Sequence, residues 1–145
     1  MNELSVTRYI DAPPEKVWDV LTNRQEEWWC PVPWRTEILA QDRRAGGRCS
    51  MVMKGPDGEV IPNEGIYLAW EEGRRFVTTD ALDADFNPAG PFMVGIWQIE
   101  PEGDGTRYTA IARHWTAEAC TQHKDMGFED GWGACAQQLA ALCEA

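Results

Sequence analysis

Positive charge is scarce in this sequence, and no basic stripe runs along it. The chain has 13 lysines and arginines against 24 aspartates and glutamates, which gives a formal net charge of −11. A field of this sign repels nucleic-acid backbones and the acidic surface of a membrane. We therefore expect no nucleic acid and no membrane among the partners of this protein.

Long hydrophobic runs and paired cysteine spacings are also missing. No segment approaches the ~20 apolar residues that a membrane-spanning helix needs, and the N-terminus lacks the basic and apolar regions of a secretion signal. We therefore expect a cytoplasmic protein whose cysteines remain free thiols in a reducing environment. The five cysteines are Cys30, Cys49, Cys120, Cys135 and Cys143.

What the sequence has in excess is tryptophan. Its 145 residues suit one domain over the whole chain, 1–145, and a hydrophobic fraction of 43% provides a core for it. Large aromatic side chains fill cores and line pockets, so each tryptophan is a candidate for one role or the other. The eight are Trp18, Trp28, Trp29, Trp34, Trp70, Trp97, Trp115 and Trp132.

Alternating hydrophobicity and turn residues predict a run of strands that helices interrupt near the start. Proline in the first turn favours a short helix from Pro14 to about Leu21, and residues 24–29 follow as a second short helical piece. The segment from Cys30 to Trp34 holds two prolines and cannot be helical. The predicted strands cover residues 4–10, 36–40, 48–54, 64–70, 75–82, 92–100 and 106–115.

The C-terminal segment changes to a helical period. Its apolar residues are spaced by 4, 3, 4 and 3 positions, which places them on one face of a helix. We predict one long helix over residues 117–143; because Gly127, Gly131 and Gly133 are poor helix formers, a start near Phe128 is the alternative. A run of strands with segregated helices indicates an α+β fold. The apolar residues are Phe128, Trp132, Cys135, Leu139 and Leu142.

Short motifs occur in a fixed order along nearly the whole chain. The first is Val6-x-Arg8-x-Ile10-Asp11-Ala12-Pro13-x-x-Lys16-Val17-Trp18. The others are Trp28-Trp29-x-Pro31, Asp42-Arg43-Arg44-x-Gly46-Gly47, Asp57-Gly58, Gly65-x-Tyr67, Gly105-Thr106-Arg107 and His123-x-x-x-Gly127-Phe128. In this order they resemble the SRPBCC, or START-like, superfamily. Within it they resemble the branch named for the C-terminal domain of the activator of the heat shock protein 90 ATPase.

The resemblance implies a helix-grip fold, as in START domains and pollen allergens. In that fold a curved, seven-stranded antiparallel sheet wraps around a long C-terminal helix, and two short helices follow the first strand. A cavity lies between sheet and helix. Members of the superfamily bind lipids, hormones and polyketides, and some are cyclases or aromatase-like enzymes.

Strand alternation indicates which side chains face such a cavity. In the last strand we expect the face with Tyr108, Ala110, Ala112 and His114 to point inward, because Arg113 on the other face prefers water. In the preceding strand we expect Met93, Trp97 and Ile99 to point inward. The candidate ligand-binding residues are Trp29, Trp34, Met51, Met53, Tyr67, Trp97, Tyr108, His114, Phe128 and Trp132.

The aromatic segment from Trp28 to Trp34 has two interpretations. It forms part of the cavity mouth and gates access to the ligand, or its rings plug one end of the core.

The two histidines have a structural and a functional interpretation each. We favour a hydrogen-bonded structural role for His114; facing a cavity, it would instead orient a ligand or exchange protons. Cys120-x-x-His123 offers only two metal ligands, so we favour solvated helix surface. Asp80, Asp83 and Asp85 are also expected in solvent, and we expect no metal and no cofactor.

Three functions compete at this point. The leading one is binding of a small hydrophobic or aromatic molecule, supported by the tryptophans and by Met51, Met53, Met93 and Met126. The second is a polyketide cyclase or aromatase-type enzyme with His114, Tyr67 and Tyr108 as proton-transfer candidates, although no catalytic constellation is evident. The third is a co-chaperone-like module that binds a heat-shock ATPase, and a homodimer is compatible with all three.

Overall fold

The strands and helices begin and end close to the turn residues and prolines of the sequence. The structure is a computed structural model that describes residues 2–90 and 92–145. Its strands are β1 (Glu3–Ile10), β2 (Arg35–Gln41), β3 (Arg48–Lys54), β4 (Val60–Glu71), β5 (Arg75–Thr79), β6 (Val94–Glu102) and β7 (Gly105–Arg113). Its helices are α1 (Pro14–Asn23), α2 (Gln25–Trp28), α3 (Ala117–Asp125) and α4 (Phe128–Glu144).

The strands form one antiparallel sheet that curves around α4. Their order is β1-β7-β6-β5-β4-β3-β2, so the chain's first strand closes against its last. The register shifts between Ile38 and Ala40 in β2 and between Tyr67 and Ala69 in β4. Such bulges bend a strand and increase its twist. The α+β helix-grip fold, with two short helices after the first strand, is therefore confirmed.

The core lies between the concave face of the sheet and α4. In β7, Tyr108 and Ala112 are fully buried whereas Arg113 is exposed, which confirms the predicted inward face of that strand. The predicted helical stripe is also confirmed, since Phe128, Trp132, Cys135 and Leu139 are buried. Burial of large apolar side chains at about 25 cal/mol per Å² makes this layer the main source of stability.

Two strand boundaries differ from the predicted ones by more than two residues. β4 begins at Val60 instead of residue 64, because it pairs with β3 all the way back to Lys54. β5 ends at Thr79 instead of residue 82. Strand pairing ends after Thr79, because the carboxylate of Asp80, rather than its backbone, accepts hydrogen bonds from the N–H groups of Phe92 and Met93.

The prediction of one continuous helix over residues 117–143 was wrong. The helix breaks at Met126 and Gly127, and the alternative start near Phe128 describes α4. Gly127 has φ of 95°, a left-handed conformation that residues with a Cβ avoid. The break lets α3 leave the axis of α4, and it places α3 beside the cavity described below.

Exchanging two glycines of this region for alanine should change stability in opposite directions. Gly127→Ala should lower the free energy of unfolding by about 1 kcal/mol, because alanine is strained at positive φ. Gly131→Ala should raise it by about 0.5–1 kcal/mol, because that residue lies inside α4 and a Cβ there would meet nothing within 4 Å. Urea-induced unfolding measures both. Equal changes of the same sign would contradict the assignment of the helix break.

Candidate functional site

A cavity of about 350 Å³ lies between the sheet and the corner where α3 meets α4. Its walls come from β3 to β6, from α2 with Trp29, and from the two C-terminal helices. Four methionines and three tryptophans make most of the apolar wall: Met51, Met53, Met93, Met126, Trp29, Trp97 and Trp132. Methionine adapts to irregular shapes, and tryptophan offers flat stacking faces.

A larger depression follows α3 on the outside of the molecule. It measures about 650 Å³, and Glu118, Gln122 and Met126 contribute to it. All the side chains that line it are exposed. It is an open surface trough, whereas the smaller cavity encloses apolar walls, so the smaller one is the candidate site.

One wall of the cavity is built from stacked aromatic rings. Trp70, Phe76, Trp97 and Trp132 stack in sequence at centroid distances of 5.2, 5.2 and 5.5 Å, with interplanar angles of 13° to 19°. Trp29 stands edge-on against Trp97 and Trp132 at 5.5 and 5.2 Å. The stack links the sheet to α4.

Gly95 makes room for the central ring of this stack. A Cβ at Gly95 would lie 2.5 Å from the outer edge of the Trp97 ring, so any side chain there would displace the ring. Trp97 Nε1 is buried and donates to no acceptor among the described residues. Leaving such a donor unpaired costs about 1–3 kcal/mol, and natural proteins keep few of them. The wall therefore contains a polar donor that the protein itself does not use.

His123 lies in the cavity wall, and the prediction that it lies on solvated helix surface was wrong. It is the buried residue of α3 and is only 8% exposed. Its ring packs against Phe92 and Phe128 at centroid distances of 4.8 and 5.1 Å. Because the break at Gly127 turns α3 towards the sheet, a residue that looks exposed in the helical pattern reaches the interior.

The two histidines of the chain form a hydrogen-bonded pair. His114 Nε2 and His123 Nδ1 are 2.9 Å apart, and His114 is also buried. Burial in the apolar wall and, to a smaller extent, the neighbouring His114 ring together lower the pKa of His123 to about 4. His123 is therefore neutral at physiological pH. The structure gives His114 the hydrogen-bonded role that the sequence favoured.

Asp80 also lies in the cavity wall, so its predicted position in solvent was wrong. The side chain is half-buried, and its Oδ1 accepts hydrogen bonds from the N–H groups of Phe92 at 2.8 Å and Met93 at 3.3 Å. It thereby fixes the backbone that presents Phe92 to the histidine pair. Asp83 instead shapes a local turn by accepting from the backbone N–H groups of Asp85 and Asn87.

The aromatic segment after α2 is divided between core and cavity. Trp28 is fully buried, and its Nε1 donates to the carbonyl oxygen of Leu21 at 3.2 Å. Trp29 is half-buried and lines the cavity, whereas Trp34 is half-exposed outside it. Gln138 of α4 holds the segment, because its Nε2 donates to the carbonyl oxygens of Trp28 and Cys30, each at 2.9 Å.

Five of the ten predicted site residues line this cavity. They are Trp29, Met51, Met53, Trp97 and Trp132. Trp34, Tyr67, Tyr108, His114 and Phe128 lie outside its wall. Tyr67 and Tyr108 are packed into the core, where burial raises the pKa of both phenols well above 10. Their hydroxyl groups are therefore poor proton donors to a ligand.

Sequence reasoning missed several polar wall residues, and one signal could have found some of them. Phe76, Thr78 and Asp80 alternate along β5, so period-two spacing places all three on one face. Asp80 lay within the predicted strand 75–82 but was expected in solvent beside the following loop, so this pattern was not used. Gln25, Asn63 and Thr79 complete the polar wall, and no local pattern marks them.

Metal ligands do not gather at this site or elsewhere in the described parts of the chain. No three side chains of histidine, cysteine, aspartate or glutamate come close enough there to hold an ion. Within residues 2–90 and 92–145, no helix is both long and apolar enough to cross a membrane.

The helix-grip class of proteins is defined by a curved antiparallel sheet that wraps around a C-terminal helix, with an apolar cavity between the two. A family model described as Activator of Hsp90 ATPase homolog 1-like protein matches residues 11–144. The chain belongs to this family, and the resemblance of its ordered motifs is thereby confirmed. No curated protein matches the sequence at a significant level.

Solved structures of bacterial proteins share both fold and sequence with this chain. A crystal structure from Nitrosomonas europaea is 36% identical, with a TM-score of 0.90, and the match covers 97% of this chain and 92% of that one. A crystal structure from Mycobacterium smegmatis is 30% identical, with a TM-score of 0.81, and covers 99% and 91% respectively. The whole chain therefore follows the fold of these relatives.

Proposed function

We propose that this protein binds a small, flat, apolar or aromatic molecule in the cavity between the sheet and α4. The observation that carries the proposal is a cavity of about 350 Å³ whose wall contains the rings of Trp29, Trp97 and Trp132. This volume is at the lower end of the ~300–1,000 Å³ of ligand pockets, so a molecule of about two or three fused rings fits. Membership of the family supports a ligand-binding role in general.

The chemistry of the wall favours an aromatic ligand over a long aliphatic chain. Aromatic rings such as those of Trp29 and Trp132 gain about 0.5–1.5 kcal/mol from each edge-to-face or offset contact with an aromatic partner, beyond the area that is buried. The methionines of the wall can contact ring edges favourably and adapt to ligands of different outline. The polar groups on the wall, among them His123, Asp80, Gln25 and Asn63, can orient a bound molecule.

A thermal-shift screen against fatty acids, sterols, flavonoids and polyketide-like aromatics tests the proposal. A ligand at a hundred times its dissociation constant should stabilise the fold by about 2.7 kcal/mol, which is easily detected. We expect aromatic compounds of about two or three rings to shift the melting temperature and fatty acids to have a smaller effect.

A pair of neighbouring variants on β3 shows whether such a shift comes from this cavity. Met53→Trp places an indole in the cavity and should abolish the shift. Val52→Trp is the control, because alternation directs residue 52 to the opposite face of the strand. A shift that persists in Met53→Trp would place the ligand elsewhere on the protein.

The screen also separates the two other functions. The proton-transfer candidates for a cyclase or aromatase, His114, Tyr67 and Tyr108, all lie outside the cavity wall, so such chemistry would need another ionisable group of the wall, such as His123 or Asp80. If no compound class shifts the melting temperature, the binding proposal fails. A module that contacts a heat-shock ATPase, the activity named in the family description, then becomes the hypothesis to test by direct binding.

A further inference from the structure

The hydrogen bonds of the histidine pair determine which nitrogen of His123 is available to a ligand. His114 Nδ1 lies 3.3 Å from the carbonyl oxygen of Asn2, which can only accept a hydrogen bond. We therefore assign the ring proton of His114 to Nδ1, and its Nε2 becomes an acceptor. His123 Nδ1, 2.9 Å away, must then donate, and this leaves His123 Nε2 with an unprotonated lone pair.

We infer that this lone pair faces the cavity. His123 lines the cavity whereas His114 does not, and Nδ1 points to His114. In an imidazole ring the Nε2 atom lies on the side away from Nδ1's partner. No described residue hydrogen-bonds to His123 Nε2, so this acceptor remains for a bound molecule. Phe92, Phe128 and Trp132 surround the ring and keep its orientation fixed.

The surroundings of His123 keep it neutral. Burial lowers its pKa to about 4, and the His114 ring acts in the same direction. The other ionisable groups on the cavity wall are the carboxylate of Asp80 at the end of β5 and the thiol of Cys49 in β3. Asp80 Oδ1 accepts the backbone N–H groups of Phe92 and Met93, whereas its Oδ2 is a second acceptor on the wall, so the His123 variants below decide which of the two groups a ligand hydroxyl uses.

We propose that His123 Nε2 accepts a hydrogen bond from the hydroxyl group of an aromatic ligand, so that the cavity selects phenols and enols over hydrocarbons and ethers of the same shape. This inference rests on the proposed function, since the rings and methionines of the wall must hold the aromatic body. The ligand hydroxyl donates to His123 Nε2. His123 Nδ1 donates to His114 Nε2, and His114 Nδ1 donates to the carbonyl oxygen of Asn2, so the three hydrogen bonds form one chain. His114 acts as a positioning residue that sets the tautomer.

The test compares 2-naphthol with 2-methoxynaphthalene, which has the same ring system and no O–H donor. Isothermal titration at neutral pH should show about tenfold tighter binding of the naphthol by the wild-type protein, which is the effect of one hydrogen bond. His123→Phe should reduce the ratio to about one. His123→Gln should restore part of it, because an amide oxygen can take the place of Nε2.

A third variant separates this acceptor from the structural role of His123. His123→Asn keeps an N–H donor near the position of Nδ1 for His114 but has no counterpart of Nε2, so it should fold and still lose the preference. The melting temperature of each variant shows whether it folds, and the Gln and Asn variants remain informative if Phe does not.

Each outcome of these titrations decides one of the two proposals. If the wild-type protein binds both compounds equally, the hydroxyl inference is overturned while the proposed binding function stands. If it binds neither compound, both proposals fail for ligands of this size. If His123→Phe or His123→Asn keeps the tenfold preference, the acceptor is another group and the assignment of His123 is wrong.

Discussion

Replacing Trp97 with alanine should lower the free energy of unfolding by about 3–5 kcal/mol. Trp97 is 5% exposed and is the ring that connects the aromatic stack: Phe76 and Trp132 stack on it at 5.2 and 5.5 Å. Its loss would open the cavity into the core and separate the sheet from α4. Urea-induced unfolding followed by far-ultraviolet circular dichroism measures this without relying on tryptophan emission.

The control for this change is Trp115→Ala. Trp115 is 53% exposed, so its truncation should change stability by no more than about 0.5 kcal/mol. A loss below about 1 kcal/mol for Trp97→Ala would show that the stack contributes little to stability. Naphthalene added to the Trp97 variant should recover part of the lost stability, because an aromatic guest can occupy the enlarged cavity.

Replacing Gln138 with alanine should cost about 2 kcal/mol and loosen the segment that presents Trp29 to the cavity. The Gln138 side chain accepts from the N–H group of Val32 at 3.0 Å and donates to the carbonyl oxygens of Trp28 and Cys30, each at 2.9 Å. Each bond contributes about 0.5–1.5 kcal/mol, and removal leaves partly buried carbonyl groups without a donor. Stability and hydrogen exchange at residues 29–34 are the two measurements.

The neighbouring Gln137 provides a matched control. Its side chain is exposed on the other side of α4, so Gln137→Ala should leave both stability and exchange within about 0.5 kcal/mol of the wild-type values. If the two variants behave alike, Gln138 does not hold the segment. If Gln138→Ala also speeds ligand exchange, the segment gates the cavity, as the first interpretation of its sequence proposed.

The fold could be predicted well because its signals are local. Period-two alternation identified the inward face of β7, and the spacing of Phe128, Trp132, Cys135 and Leu139 identified the buried face of α4. The helix break is the informative exception. Gly127 was recognised as a poor helix former. The sequence, however, does not distinguish a glycine inside a helix from a glycine that ends one.

The candidate site could be predicted only in part. Trp97 was found because strand alternation and residue chemistry both pointed inward, and Met51 was found from residue chemistry alone. His123 and Asp80 were assigned to solvent, because each lies next to a change of chain direction and local periodicity ends there. Trp34 and Phe128 were included because large aromatic rings suit a pocket. The residue type, however, does not tell whether a ring lines the cavity or lies outside its wall.

The sequence by itself determined the type and order of the elements, the family and the apolar character of the interior. Proline, glycine and hydrophobic spacing act over a few residues, so they can be read without a partner segment. Only the tertiary structure decided which rings stack, which residues enclose the cavity and that His114 pairs with His123. Those arrangements depend on contacts between separate elements, and their geometry is set when the sheet closes around α4.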